Sequence, residues 1–113
     1  MDHFPIFLAT SEQKILLSGG GEAALAKLRL LMKTKAALHI FAPAPAPELV
    51  EWQAAGKLSL HRRALTAADL PGALLFYAAD EDDALDAENA ALARAAGVLV
   101  NIVDNLHDSQ FIT

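Results

Sequence analysis

Gly19, Gly21 and Ala24 fall on the spacing G-x-G-x-x-A, which lets a chain leave a strand, pass close to a pyrophosphate and restart as a helix. Gly19 suits the sharp turn, Gly21 the close approach of backbone to an anion, and Ala24 the tight packing of helix on sheet. The first-turn N–H groups, from Gly20 through Gly21 and Glu22 to Ala23, then form a cradle for negative charge, with the helix dipole behind them. The chemistry this points to is dinucleotide binding. The alternative is a strand-to-helix turn that binds nothing.

Two further groups of residues have the right types for chemistry. Asp80-Glu81-Asp82-Asp83 follows an apolar run. Asp80 there reads as a helix N-cap with Asp83 in the third position, or as a carboxylate standing beside the anion turn and repelling its ligand. Asp104 follows another apolar run and is a candidate general base. It reads equally as a loop residue in an Asx turn, with Asn105 beside it. His3, His39, His61 and His107 have no metal-ligand spacing, so no metal site is expected. His39 reads as packed in or against a strand, and Arg62-Arg63 as a solvated pair.

These residues need elements to position them. Ile15–Leu17, Ala37–Phe41, Leu58–Leu60, Ala73–Ala79 and Val98–Val103 are apolar runs of strand length. Phe4–Leu8, behind Pro5, reads as an edge strand or a lead-in. Between the runs lie helical patterns: Ala24, Leu25, Leu28, Leu31 and Met32 share one face, Pro47 opens a helix through Ala55, and an alanine-rich helix after Asp80 ends at Gly97. Thr66–Leu70 reads as a short helical turn. Alternating strands and helices, with strands apolar throughout, predict an α/β domain with a parallel sheet covered on both faces. Right-handed crossovers make this a Rossmann-like doubly wound sheet of order 3-2-1-4-5. The loops after successive strands, Gly19–Gly21, Ala42–Pro45, Ala79–Asp83 and Asn101–Asp104, then gather at one edge. No acidic residue follows the second strand to hold a ribose; Phe41 and Pro43 stand there instead.

Composition narrows the class. The 113 residues are 54% apolar and 20% charged, which suits a single globular domain over 1–113. The net charge of −5 argues against a general nucleic-acid or anionic-membrane surface. There is no cysteine, hence no disulfide, thiol nucleophile or thiolate metal site. No apolar run reaches the ~20 residues of a membrane span, the N-terminus lacks a basic signal-peptide start, and a cytoplasmic location is expected.

The run Met1-Asp2-His3-Phe4-Pro5-Ile6-Phe7, the stretch Gly19–Ala24 with Lys27 and Arg29, Ala78-Ala79 with acids after it, Asn101-Ile102-Val103-Asp104 and Phe111-Ile112 together resemble the start of the siroheme synthase family. Its module is precorrin-2 dehydrogenase/sirohydrochlorin ferrochelatase. The resemblance implies NAD as cofactor, oxidation of precorrin-2 to sirohydrochlorin and, in several members, insertion of ferrous iron. It implies that Glu22, Ala23, Pro43 and Ala44 touch NAD and that Asp104 serves dehydrogenation and chelation. Asp80 stands where the family has threonine, Leu106 where it has proline, and Ser18 where an apolar residue is usual. The family's dimerisation segment and helical domain are expected to be absent from these residues. Hence a tetrapyrrole partner and a homodimer are expected only of full-length members, with Lys14, Arg62 and Arg63 the few basic residues here to meet its carboxylates. The functional expectation is an NAD-binding domain with little turnover by itself. The alternatives are a non-catalytic nucleotide-sensing or interaction module and a purely structural domain.

Overall fold

In β1 (Lys14–Ser18) the central residues Ile15, Leu16 and Leu17 are at most 1% exposed, so neither face of the strand meets water. Side chains alternate along a strand. Ile15 and Leu17 accordingly enter one apolar cluster and Leu16 the other. The computed structural model, which describes residues 1–113, places β1 at the centre of a parallel five-stranded sheet. The other strands are β2 (Ala37–Phe41), β3 (Ser59–His61), β4 (Ala73–Ala78) and β5 (Leu99–Ile102), in the order β3-β2-β1-β4-β5. This is the expected doubly wound order, and its reversal lies between β1 and β4.

Helix α1 (Glu22–Leu31) buries Ala24, Leu25, Leu28 and Leu31 on the face holding Ile15 and Leu17. Helix α2 (Pro47–Ala54) adds Leu49 to the same layer, with Trp52 packed against it. Helix α3 (Asp83–Ala95) covers the opposite face through Ala90 and Ala93, both fully buried against Phe76 and Val100. The expected short helical turn is a 3₁₀ turn, Ala67–Asp69, held by reciprocal Thr66–Asp69 capping bonds. Phe4–Leu8 forms no strand; Phe4, Ile6 and Phe7 are more than half exposed in an extended lead-in. Pro5 removes a ladder donor there, and no neighbouring strand offers a partner. No helix is long and apolar enough to cross a membrane.

The β2–β3 edge carries a stack of rings. His39 lies over His61, which lies over Phe41, and the Arg63 guanidinium sits 5.1 Å from the Phe41 centroid. Arg63 is therefore not simply solvated; it also grips both Asp69 oxygens, at 2.8 and 2.7 Å. His39 Nδ1 lies 3.0 Å from His61 Nε2. Such a contact requires a neutral acceptor, so both rings cannot be protonated while it lasts. Burial first, then His61 and Lys14, hold His39 below its ordinary 6.5. The unfolded chain thus binds a proton on this ring that the folded chain resists, and stability falls as pH drops below about 6.5. Urea midpoints at pH 7.5 and 5.5 will show this loss, and His39→Gln will reduce the slope; an unchanged slope would remove His39 as its source.

Candidate functional site

The site is built around a backbone contact that admits no side chain. Gly19 leaves β1 with φ +150°, and a Cβ on it would lie 2.2 Å from the Ala79 carbonyl oxygen. A Cβ on Gly20 would lie 2.8 Å from the Ala44 carbonyl oxygen and 3.2 Å from the Ala42 Cβ. Hydrogen bonds fasten the turn to its neighbours: Gly19 N–H donates to the Phe41 carbonyl, Ala46 N–H to that of Gly20, and Ala79 N–H to that of Ser18. The loops after β1, β2 and β4 therefore meet at one corner, bringing Ala42, Ala44 and Pro45 alongside Gly20, with Pro43 between them in the chain.

Gly21 is the N-cap of α1, with φ −110° and no side chain to cap the helix. The amides of Gly20, Gly21 and Glu22 donate to nothing within the chain, whereas Ala23 N–H donates to Glu81 Oε1 at 2.8 Å. A helix N-terminus attracts negative charge, and here a carboxylate of the chain already occupies part of it. The start of α1 thus presents three unengaged amides, those of Gly20, Gly21 and Glu22, beside a fourth that a carboxylate of the chain engages.

Asp80 does not take the part expected of it. The N-cap of α3 is Asp82, whose carboxylate accepts from Leu85 N–H at 3.1 Å. Asp80 turns inward instead, accepting the Ser18 hydroxyl proton at 2.5 Å and an Asn89 Nδ2 proton at 3.4 Å. Its own N–H donates to Asp86 Oδ1 at 3.0 Å. Donors waiting beneath the loop hold its carboxylate away from the cradle, and the carboxylate at the cradle belongs to Glu81. Burial pushes the Asp80 carboxyl above the ordinary carboxylate range, against the opposing pull of Ser18 and Asn89. Burial raises Asp86 likewise.

Ser18, Asp86, Asn89 and Glu81 were not assigned to the site by sequence. Residues 86, 89, 90 and 93 are the buried ones of α3, a 3.6-residue periodicity that held the signal for the first two helix positions. Their polar types disguised it. Glu81 carries no comparable signal, because its reach to Ala23 depends on a backbone with φ +59°.

Asp104 stands at the tip of the turn after β5, exposed and with φ +61°. The turn is closed by Asn105 N–H donating to the Ile102 carbonyl and tied to β4 by Val103 N–H donating to that of Ala78. Positive φ at the third position is what a type II turn requires, and aspartate tolerates it better than most residues. The local side-chain turn is made by Asn105, whose Oδ1 accepts Asp108 N–H. Asp104 makes no hydrogen bond in the chain. His107 pairs with Asp108 rather than with Asp104.

A cleft of about 650 Å³ brings the two halves together, with Ala23 and Glu81 on one wall and Val103, Asp104 and Asn105 on another. Asp83, Asp86 and Asp108 also line it, which makes it strongly acidic. Lys14 lies outside this cleft: it starts β1, at the opposite sheet edge, and donates to the Asp69 and Pro71 carbonyls. No three histidine or acidic side chains converge in a metal-binding arrangement.

The family described as "Putative NAD(P)-binding" matches residues 6–113. The chain belongs to it. This NAD(P)-binding domain is 42% identical over 113 residues to a siroheme synthase of Chromobacterium violaceum, covering all of this chain and 24% of that protein. A siroheme synthase of Pseudoalteromonas atlantica is 37% identical over 113 residues, again across all of this chain and 24% of that one. The domain thus spans about a quarter of the length of these relatives. Among solved structures, "SirC, precorrin-2 dehydrogenase" superposes with a TM-score of 0.80 over 97% of this chain and 54% of that one. At 23% identity that likeness shows the fold.

An NAD(P) cofactor fits the corner observed. Three amides are free to bind phosphate, a fourth already binds a carboxylate, and Gly21 presents no side chain to the approach.

Gly19→Ala forces a Cβ into a backbone oxygen at positive φ and will destabilise the domain by about 3 kcal/mol or more. Gly21→Ala meets only the flexible Glu81 carboxylate, at 3.6 Å, and will cost about 1 kcal/mol or less, the preference of an N-cap for glycine over alanine. Equal losses at the two positions would contradict the geometry. For Asp80 the raised folded pKa means that the native state holds its proton to higher pH than the unfolded chain does. Its ionisation therefore lowers stability as pH rises above about 3.8. Asp80→Asn will raise the urea midpoint at pH 7, and the advantage over wild type will shrink as pH falls toward 4.

Proposed function

We propose that this domain is the NAD-binding part of a precorrin-2 dehydrogenase, the enzyme that oxidises precorrin-2 to sirohydrochlorin in siroheme formation. The observation that carries the reading is the cleft shared by the α1 N-terminus and Asp104. Its lining includes Ala23 at the start of α1 and the unengaged Asp104 carboxylate, at the sheet edge where strand order reverses, which supports a dinucleotide and a base working side by side. Similarity to siroheme synthases across the whole chain supports the same reading.

The roles of the residues follow from their positions. The amides of Gly20, Gly21, Glu22 and Ala23 hold the pyrophosphate, and Gly19 sets their direction. Ala44, beside Gly20, and the adjacent Pro43 line the adenosine end. Bound NAD supplies a hydride acceptor. Asp104 takes the proton that leaves the substrate carbon framework, since its carboxylate makes no internal hydrogen bond and faces the cleft. Its peptide unit is held by β4 and by the turn closure, so the carboxylate is aimed by backbone rather than by a partner side chain. The tetrapyrrole, any ferrous iron inserted into it, and a homodimer contact belong to the longer protein that carries such a domain. Asp80, engaged below the loop, contributes through the placement of Glu81 and α3.

Calorimetric titration of the 113-residue chain with NAD will give a micromolar constant. In a chimera where this domain replaces the N-terminal quarter of the Chromobacterium violaceum siroheme synthase, Asp104→Asn will lower kcat of dehydrogenation by about 10²-fold or more. NAD affinity will stay within about twofold, because an exposed turn residue does not shape the cradle. Absence of binding heat would defeat the cofactor reading. An unaltered kcat would defeat the role of Asp104.

A further inference from the structure

We propose that Glu81 is a displaceable occupant of the cofactor's anion cradle, and that its charge sets how tightly the dinucleotide binds. The proposal rests on the cofactor reading above and deepens it. Three observations carry it. Glu81 Oε1 accepts the Ala23 amide proton at 2.8 Å, and its carboxylate lies 3.6 to 3.9 Å from the point where a Gly21 Cβ would stand. It therefore fills the space over the first turn of α1 that a phosphate would enter. Among the four amides of the turn only that of Ala23 is engaged, so the carboxylate competes for one donor of four. Finally, Glu81 reaches the helix from an exposed loop residue with φ +59°, a conformation unfavourable for a side chain of this kind. Nothing else in the chain hydrogen-bonds its carboxylate, so it can rotate away without breaking a second contact.

The physical consequence is a contest between like charges. A carboxylate at a helix N-terminus stabilises the cofactor-free domain. A pyrophosphate arriving at the same amides must expel it or bear its repulsion. Glu81 thus stabilises the empty site and opposes the filled one. The residue is a determinant of affinity, and it discriminates against ligands with too few phosphate contacts to displace it.

The test compares the wild-type chain with Glu81→Gln and Glu81→Ala, titrated calorimetrically with NAD and with inorganic pyrophosphate. Gln keeps the length and an acceptor while removing the charge; Ala removes both. Both variants will bind NAD about three- to tenfold more tightly, and both will melt at lower temperature without ligand. In ¹⁵N spectra of the wild type, NAD will move the Ala23 amide away from its capped position; in Glu81→Ala that amide will start from the uncapped position. If wild type binds NAD and both variants bind with equal or weaker constants, Glu81 is no competitor and the proposal falls, while the cofactor reading stands. If none of the three chains binds NAD, the cofactor reading falls and takes the proposal with it.

Discussion

The contact between the backbone of Gly19 and the carbonyl of Ala79 governs the rest of this molecule. β1 and β4 are hydrogen-bonded neighbours at the reversal of strand order. Their carboxyl-terminal extensions would diverge if either carried bulk at the crossing. Two residues without side-chain volume problems, Gly19 and Ala79, let them continue in contact instead. From that proximity the chain after β1 is directed across the sheet edge, and α1 begins with Ala23 at the cleft. Ala24, fully buried, keeps the helix close enough for this direction to persist. A helix standing farther from the sheet would aim its first turn elsewhere.

Beneath this contact lies a polar seat rather than more apolar packing. Ser18, Asp80, Asp86 and Asn89 satisfy one another and the Asp80 amide. Hydrogen bonds to a charged group contribute about 1.5–3 kcal/mol each, while removing a carboxylate from water costs several kcal/mol per ion even after relaxation. Two carboxylates close together, Asp80 half-buried and Asp86 buried, do not recover that cost at neutral pH, consistent with the upward displacement of both. The network therefore acts as a positioning device. It fixes where α3 begins, and with it the loop that carries Glu81 and Asp82, while stability comes from the apolar remainder of α3 through Ala90 and Ala93.

The fold was legible because its signals are periodic and local. Strands buried on both faces read as unbroken apolar runs, and the strand order follows from right-handed crossovers once the alternation is seen. The helix ends were legible at Pro47, Gly56 and Gly97, where backbone geometry limits the choice: the two glycines have φ of +75° and +76°. The glycine turn was legible for the same reason. What the sequence concealed were identities exchanged between adjacent acids. Asp80, Glu81, Asp82 and Asp83 are interchangeable by composition, yet one is a buried acceptor, one an anion surrogate and one the helix cap. Their order of roles depends on how the chain turns after β4, a tertiary matter. Arg63 hid similarly, since its partners Asp69 and Phe41 lie on separate elements.

Electrostatics at the cleft then bear on the chemistry. The net charge of −5 does little to a bound anion, because exposed charges beyond about 8 Å are largely screened at physiological salt. Amide donors at contact distance decide the phosphate end. The rest of the cleft is different, with Asp83, Asp86, Asp104 and Asp108 in its lining. Such a lining favours a cationic group over a neutral one, and on the proposed function the oxidised nicotinamide is the cationic form. On that function, Asp104 would both accept the substrate proton and carry part of the negative charge that this lining presents to the oxidised cofactor.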